Sequence, residues 1–121
     1  MSETNPPTFL PLREPTFFIL LSLFPGEKHG YAILKDVEQI SQKRVQLSTG
    51  TLYEALARLL EQGLIERGED DHAPGPGKPR KLYRLTGLGR RVVEGEALRY
   101  DQMAAAARQQ MDGQWMGRST D

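Results

Sequence analysis

A run of hydroxyl-bearing side chains followed by an arginine lies near the middle of the chain and has the chemistry to contact nucleic acid. The run comprises Ser48, Thr49, Thr51, Tyr53 and Arg58. Serine, threonine and tyrosine hydroxyls are typical phosphate ligands, and an arginine can read guanine through two parallel hydrogen bonds. An ordinary capped surface helix with a solvated arginine would contain the same residues. For this segment taken alone, that simpler interpretation is favoured.

A second group of candidate residues is basic and surrounds Pro79. Lys78, Arg80 and Lys81 flank this proline, which stiffens the backbone. Cations presented in this way contact phosphates, which supply most of the sequence-independent affinity for DNA. A solvated basic loop explains this segment about equally well when it is taken alone. The two segments together, in this order along the chain, favour DNA binding.

The charge distribution agrees with this interpretation better than the total charge does. The formal net charge is +0, which by itself argues against a nucleic-acid partner. All charged side chains in residues 75–91 are basic, whereas most charged side chains in residues 61–71 are acidic. The charge is therefore segregated into blocks.

Three helices and a β-hairpin are expected to position these residues. Apolar periodicity and capping residues predict helices over 14–24, 31–40 and 48–63, the last of them stopping at Gly63. Strand-forming residues at 64–67 and 81–85 flank a loop rich in glycine and proline, which predicts a hairpin. A minor edge strand is expected at 45–47, and Tyr31 is expected to pack in the core. Helix, turn, helix and ribbon is the order of a winged helix-turn-helix.

The last predicted helix begins after Thr86 and carries a heptad seam. The seam residues are Val93, Ala97, Tyr100, Ala104, Ala107 and Met111. From Thr86 to Met111 the helix would be about 39 Å long, which exceeds what a core of this size can cover. A second copy of the chain is therefore the expected partner of the seam.

These elements define the predicted organisation of the chain. Its fold class is mainly α with a small β-hairpin: a winged helix-turn-helix domain plus a C-terminal dimerisation helix. The predicted segments are an N-terminal arm at 1–13, the DNA-binding domain at 14–86, the dimerisation helix at 87–111 and a flexible tail at 112–121.

Several classes of function lack their required residues. The absence of cysteine excludes disulfides, thiolate zinc sites and a cysteine nucleophile. His29 and His72 are the only histidines and lack partners at ligand spacing, so no metal site and no cofactor are expected. The sequence also contains no catalytic triad, phosphate-binding glycine loop or paired catalytic carboxylates. With neither a signal peptide nor an apolar run long enough to span a bilayer, the protein is expected to be cytoplasmic and not an enzyme.

Several spaced motifs resemble those of the PadR family of bacterial transcriptional regulators. They are His29-Gly30-Tyr31, Gly-Thr-Leu-Tyr at 50–53, Arg58-Leu59, Gly63-Leu64-Ile65, Pro79-Arg80-Lys81, Tyr83-Arg84-Leu85-Thr86 and Gly89-Arg90. The resemblance covers roughly residues 14–100. It implies a dimeric winged-helix repressor of the smaller subgroup, with Thr51 and Tyr53 on the DNA-facing helix and Arg80 and Lys81 on the wing. Leu82 and Glu54 depart from the residues frequent in the family.

The sequence thus predicts a homodimeric repressor that binds a pseudo-palindromic operator in double-stranded DNA, with half-sites about 34 Å apart. The resemblance also implies release by a small hydrophobic or aromatic effector, for which Phe17, Tyr100 and Met103 are candidate contacts. The alternatives are a ligand-sensing module and a winged-helix module that binds protein without DNA. The zero net charge favours the last of these.

Overall fold

The computed structural model describes residues 9–69 and 80–119, which form four helices and three strands. Helix α1 spans Glu14–Ser22, with Pro15 in its first turn, where a missing backbone N–H costs nothing. Ile19, Leu20 and Leu23 are almost completely buried. Phe17, Phe18 and Leu21 are partly buried against the same core. The helix is therefore covered on several sides, as its apolar sequence predicts.

The helix-turn-helix consists of α2, Gly30–Ile40, and α3, Thr49–Glu61. Each helix begins with a side-chain cap: Nδ1 of His29 accepts from the backbone N–H of Ala32, and Oγ of Ser48 accepts from that of Thr51 at 3.1 Å. Gly63 has a φ of +74°, the left-handed conformation expected at the stop after α3. Both helices direct one apolar face into the core and leave the opposite face exposed.

The sheet has the order β1-β3-β2 and is antiparallel throughout. Its strands are β1 at Lys28–His29, β2 at Ile65–Arg67 and β3 at Leu82–Leu85. The hairpin prediction is confirmed, but the edge strand predicted at 45–47 is wrong. Val45 is buried, and its N–H donates to Oγ of Ser41 at 3.1 Å instead of joining the sheet. The second edge of β3 is taken by β1, which lies between the first two helices and for which the sequence analysis predicts no strand.

Helix α4 spans Gly87–Ser119 and continues beyond the predicted end at Met111. Thr86 caps it by accepting from the N–H of Gly89 at 3.0 Å, and the same hydroxyl donates to the carbonyl of Gly63 at 2.6 Å. This pair of bonds fixes the start of α4 to the end of α3. The 33 residues of the helix correspond to about 50 Å. Val92, Val93 and Glu96 are buried, whereas residues 101–113 are all exposed.

Residues 9–12, which precede α1, lie against the core. Phe9, Leu10 and Leu12 are partly buried against it. The backbone N–H of Leu12 donates to Oε2 of Glu96 at 2.7 Å. This part of the predicted arm is consequently attached to the first turns of α4.

Candidate nucleic-acid interface

The first turn of α3 presents a compact group of hydroxyls to the exterior. Ser48, Thr49, Thr51 and Tyr53 are all exposed. The Ser48 hydroxyl accepts from the Thr51 N–H and donates to Oγ1 of Thr51 at 2.9 Å, so it serves mainly to shape the helix start. The backbone N–H groups of Thr49 and Gly50 precede the first intrahelical bonds and face outward with the positive end of the helix dipole. This end of α3 therefore suits an anionic phosphate.

Tyr53 joins the start of α3 to the start of α2. A Cβ atom added to Gly30 would lie 2.7 Å from Cζ of the Tyr53 ring, so the ring lies directly on the Gly30 backbone. The Tyr53 side chain is nevertheless 43% exposed. Burial is the main cause of the raised pKa of Tyr83, and the Tyr53 phenol raises it further. Tyr53 is thus both an exposed residue of the interface and a structural contact between the two helices.

Tyr31 lies on the outer face of α2, with a side chain that is 63% exposed. The prediction that it packs in the core is therefore wrong. The buried residues Ile33 and Val37 follow it by two and six positions, about 200° and 240° around the helix axis, so Tyr31 must point away from them. The same periodicity, applied residue by residue, would have identified it. Nζ of Lys35 lies 5.8 Å from the centre of the Tyr31 ring, and both border a hollow beside Leu47, directly before the Ser48 cap.

Arg58 is exposed but lies apart from the hydroxyl group. It follows Ser48 by ten positions, about 15 Å along the helix. It borders a groove of about 290 Å³ together with Phe9, Leu12 and Arg13. The structure therefore does not bring Arg58 together with Thr49, Thr51 and Tyr53.

The described cations of the basic segment lie along β3 or directly before it. Arg80 and Lys81 are exposed next to β3, and Lys78 lies outside the described residues. Arg84 donates through Nε to Oε2 of Glu66 at 2.8 Å and lies 3.6 Å from Oε1 of Glu27. The hydrogen bond to Glu66 is the main cause of the raised pKa of Arg84. Antiparallel pairing of β2 with β3 thus places part of the acidic block opposite the basic one.

The heptad seam of α4 is partly core and partly free surface. Val93 is buried among the residues of its own protomer, so its assignment to a dimer interface is wrong. Tyr100 is half-buried, and its ring makes an edge-to-face contact with Phe17 at 5.2 Å between centroids. Ala97, Ala104, Ala107 and Met111 are exposed. The available seam therefore begins at Ala97, where the helix leaves the core.

The predicted effector contacts, Phe17, Tyr100 and Met103, lie near the root of α4. Phe17 and Tyr100 touch each other, and Met103 is 50% exposed. The guanidinium of Arg99 contacts two of them: Cζ lies 5.2 Å from the centre of the Tyr100 ring, and Nη1 donates to Sδ of Met103 at 3.3 Å. Arg99 also donates to Glu96 through Nε at 2.6 Å, which is the main reason why the pKa of Glu96 is lowered despite burial.

Two features are absent from the part of the chain that the structure describes. Within residues 9–69 and 80–119, no three side chains of the metal-binding types converge on a common point. His72, one of the two histidines, lies outside these ranges. None of the described helices combines the length and the apolar character needed to span a membrane.

Two sequence relatives cover part of this chain. It is 39% identical over 79 residues to a 37.1 kDa protein in transposon TN4556 of Streptomyces fradiae, and 33% identical over 72 residues to protein X of Lysinibacillus sphaericus. These matches cover 65% and 60% of the present chain. The chain spans 21% of the first relative and 64% of the second, so each relative extends beyond the region shared with it.

Solved structures share the fold. A PadR family transcription regulator from Clostridium difficile R20291 superposes with a TM-score of 0.67 at 25% identity, covering 82% of this chain and 99% of that one. A PadR-like transcriptional regulator from Bacillus cereus gives a TM-score of 0.65 at 23% identity, with coverages of 79% and 89%. Bacillus subtilis PadR in complex with operator DNA gives a TM-score of 0.59 at 24% identity, and the match covers 69% of this chain and 46% of that one.

The sequence profile of the transcriptional regulator PadR-like family matches residues 19–95. This region contains the helix-turn-helix, the sheet and the root of α4, which is most of the described structure. Members of the family regulate transcription and are not enzymes. The chain therefore belongs to the transcriptional regulator PadR-like family.

Proposed function

We propose that this protein is a sequence-specific DNA-binding regulator that acts in the cytoplasm as a homodimeric repressor on a pseudo-palindromic operator. The observation that carries the proposal is the exposed first turn of α3, where Thr49 and Thr51 surround free backbone N–H groups on a helix held against α2 by Tyr53. A rigid helix end of this kind positions phosphate and base-edge contacts in a major groove. The operator DNA bound by Bacillus subtilis PadR, which shares the fold, supports the same assignment.

Each part of the interface has a separate role in this proposal. Thr49, Thr51 and Tyr53 meet the DNA from α3, with Ser48 setting the geometry of the helix start. Arg80 and Lys81, joined by Lys78, contact flanking phosphates from the wing. Tyr31 and Lys35 extend the surface along α2, the helix that crosses the backbone in helix-turn-helix proteins. The role in base reading first predicted for Arg58 is less well supported, because its side chain borders the groove beside Phe9.

Dimerisation would set the spacing of the two reading helices. The exposed seam on α4 consists of alanines and Met111 on a helix that extends well beyond the core. Packing two such helices together would separate the α3 helices by about 34 Å, one turn of DNA. A small hydrophobic or aromatic effector at Phe17, Tyr100 and Met103 would act at the root of the same helix. Its binding would alter that separation and release the operator.

Direct binding to DNA tests the proposal. Fluorescence anisotropy with duplexes from the region upstream of the protein's own operon is expected to show saturable binding that exceeds binding to unrelated duplexes. Replacing Thr49 and Thr51 by valine keeps the branched shape and similar helix propensity but removes both hydroxyls. Two lost hydrogen bonds at about 0.5–1.5 kcal/mol each predict binding that is weaker by about 5-fold to 150-fold.

A protein-interaction module without DNA binding is the second candidate function. The net charge of +0 favours it, because most DNA-binding domains carry excess positive charge. No binding to any fragment of the organism's own genome would support this candidate. A separate experiment tests repressor activity. Expression of a reporter placed under the bound promoter should rise when the gene that encodes this protein is deleted.

A further inference from the structure

A groove on the side of the molecule formed by α1, the end of α3 and residues 9–12 has the chemistry of an anion-binding site. Its volume is about 290 Å³. Phe9, Leu12 and Leu59 provide apolar walls, and Arg13, Arg58 and Gln62 provide polar groups. The groove is separate from the Phe17–Tyr100 contact and from the exposed first turn of α3. No function described above uses it.

The two arginines that line the groove are not held by carboxylates, unlike several other arginines of the described residues. Arg44 pairs with Glu14, Arg84 with Glu66 and Arg99 with Glu96. Arg13 and Arg58, by contrast, have no acidic partner within the described parts of the chain. Two like charges that border one groove repel each other, and an anion between them would remove this repulsion. The side-chain amide of Gln62 adds a neutral donor at the same site.

The apolar wall of the groove is fixed to the body of the protein. The N–H of Leu12 is held by the fully buried carboxylate of Glu96, and Glu96 is held in turn by Arg99. Leu10 packs beside Gly95 on the same helix, since a Cβ on Gly95 would lie 3.5 Å from Cδ1 of Leu10. Residues 10 and 12 therefore attach the wall to α4. A preformed wall lowers the entropy lost when a ligand binds.

We propose that this groove binds a small organic carboxylate with an apolar body. Guanidinium groups match the planar geometry of a carboxylate and bind it through paired hydrogen bonds. Phe9, Leu12 and Leu59 would cover the apolar part of the same molecule. The volume is at the lower end of the range for ligand sites, which favours a single ring or a short chain. Arg58 is then a ligand contact in place of the base contact first predicted for it.

The experiment uses cyclohexanecarboxylate as the probe and the full-length protein without DNA. Titration followed by ¹H–¹⁵N NMR should give saturable shifts of the backbone amides at 9–16 and 58–62. The neutral isostere cyclohexanecarboxamide should bind at least tenfold more weakly, because it cannot pair with the guanidinium groups. Arg58→Gln and Arg13→Gln should each weaken binding of the carboxylate about tenfold. Arg91→Gln, a change at an exposed arginine on α4 that does not line the groove, should leave the affinity unchanged.

The proposal would be overturned by shifts that do not saturate, by equal affinity for the acid and the amide, or by an unchanged affinity in both groove variants. Saturable shifts confined to Phe17, Tyr100 and Met103 would also overturn it, because they would place the ligand at the other site. Both substituted arginines are exposed, and the spectrum of each variant reports whether it is folded. DNA is absent from the measurement, so failure here leaves the proposed DNA-binding function unaffected.

Discussion

The ring of Tyr53 occupies the space that a side chain on Gly30 would need. A Cβ at Gly30 would lie 2.7 Å from Cζ of Tyr53 and closer still to its hydroxyl oxygen. The first residue of α2 is therefore a glycine because a residue of α3 rests on its backbone. This contact fixes the relative position of the two helices of the helix-turn-helix, on which the placement of Thr49 and Thr51 depends.

Gly30→Ala is expected to destabilise the protein by about 1–3 kcal/mol, because the added methyl group overlaps with the Tyr53 ring. Urea unfolding measures this loss. Tyr53→Ala in the same chain should remove the overlap, so the double variant should lose less stability than the two single changes added together. Gly50→Ala is the matched control, because a Cβ there meets nothing within 4 Å. Purely additive effects would contradict the contact.

Glu96→Gln is expected to reduce the free energy of unfolding at neutral pH by about 1–3 kcal/mol, since the buried carboxylate accepts from Leu12 and Arg99. The folded-state pKa of Glu96 is lowered, first by the Arg99 hydrogen bond. Its contribution is therefore present above the unfolded pKa of about 4.3 and is lost as pH falls through the folded value.

The difference in stability between the wild type and Glu96→Gln should thus shrink as pH is lowered from 6 to about 3. Chemical denaturation at several pH values measures the difference. Glu94→Gln, at an exposed position on the same helix, should change stability little at any of them. If the difference in stability between the two proteins stayed constant with pH, the charge of Glu96 would not contribute to stability.

Arg80→Ala combined with Lys81→Ala is expected to lower the slope of log affinity against log salt by about two, because each phosphate contact contributes roughly 0.9. DNA-binding titrations at four or more salt concentrations give the slope. Arg84→Ala is the control, since Glu66 and Glu27 already hold its guanidinium within the sheet, and its slope should remain near that of the wild type. Equal slopes in all three proteins would exclude phosphate contacts from the wing.

Ala107→Glu is expected to convert a dimer into a monomer, because it places a charge in the exposed part of the α4 seam. The side chain is solvent-exposed in the protomer, so the change should not disturb the core. Sedimentation velocity measures the oligomeric state. Gln109→Glu carries the same charge on the opposite side of the helix and should remain dimeric. A dimer that persists in Ala107→Glu would place the interface elsewhere.

The sequence by itself determined the elements whose signals are local. The hydroxyl caps at Ser48 and Thr86, the glycine stop at Gly63 and the apolar periodicity of α2 and α3 each depend on residues within a few positions of one another. The two strands of the hairpin were also predictable, because the glycine and proline residues between them exclude a helix. These signals were sufficient for the winged helix-turn-helix.

Only the tertiary structure decided the features that depend on distant partners. Lys28–His29 forms a strand because β3 offers it a free edge more than fifty residues later, and Val45 does not because the Ser41 hydroxyl satisfies its N–H. Val93 lies in the core and not at a dimer interface, because α4 extends beyond the core only after Glu96. Residues 9–12 lie against the core, and the N–H of Leu12 donates to a carboxylate 84 positions away. Contacts of this kind depend on how the helices pack, and helix packing leaves no pattern within any short stretch of sequence.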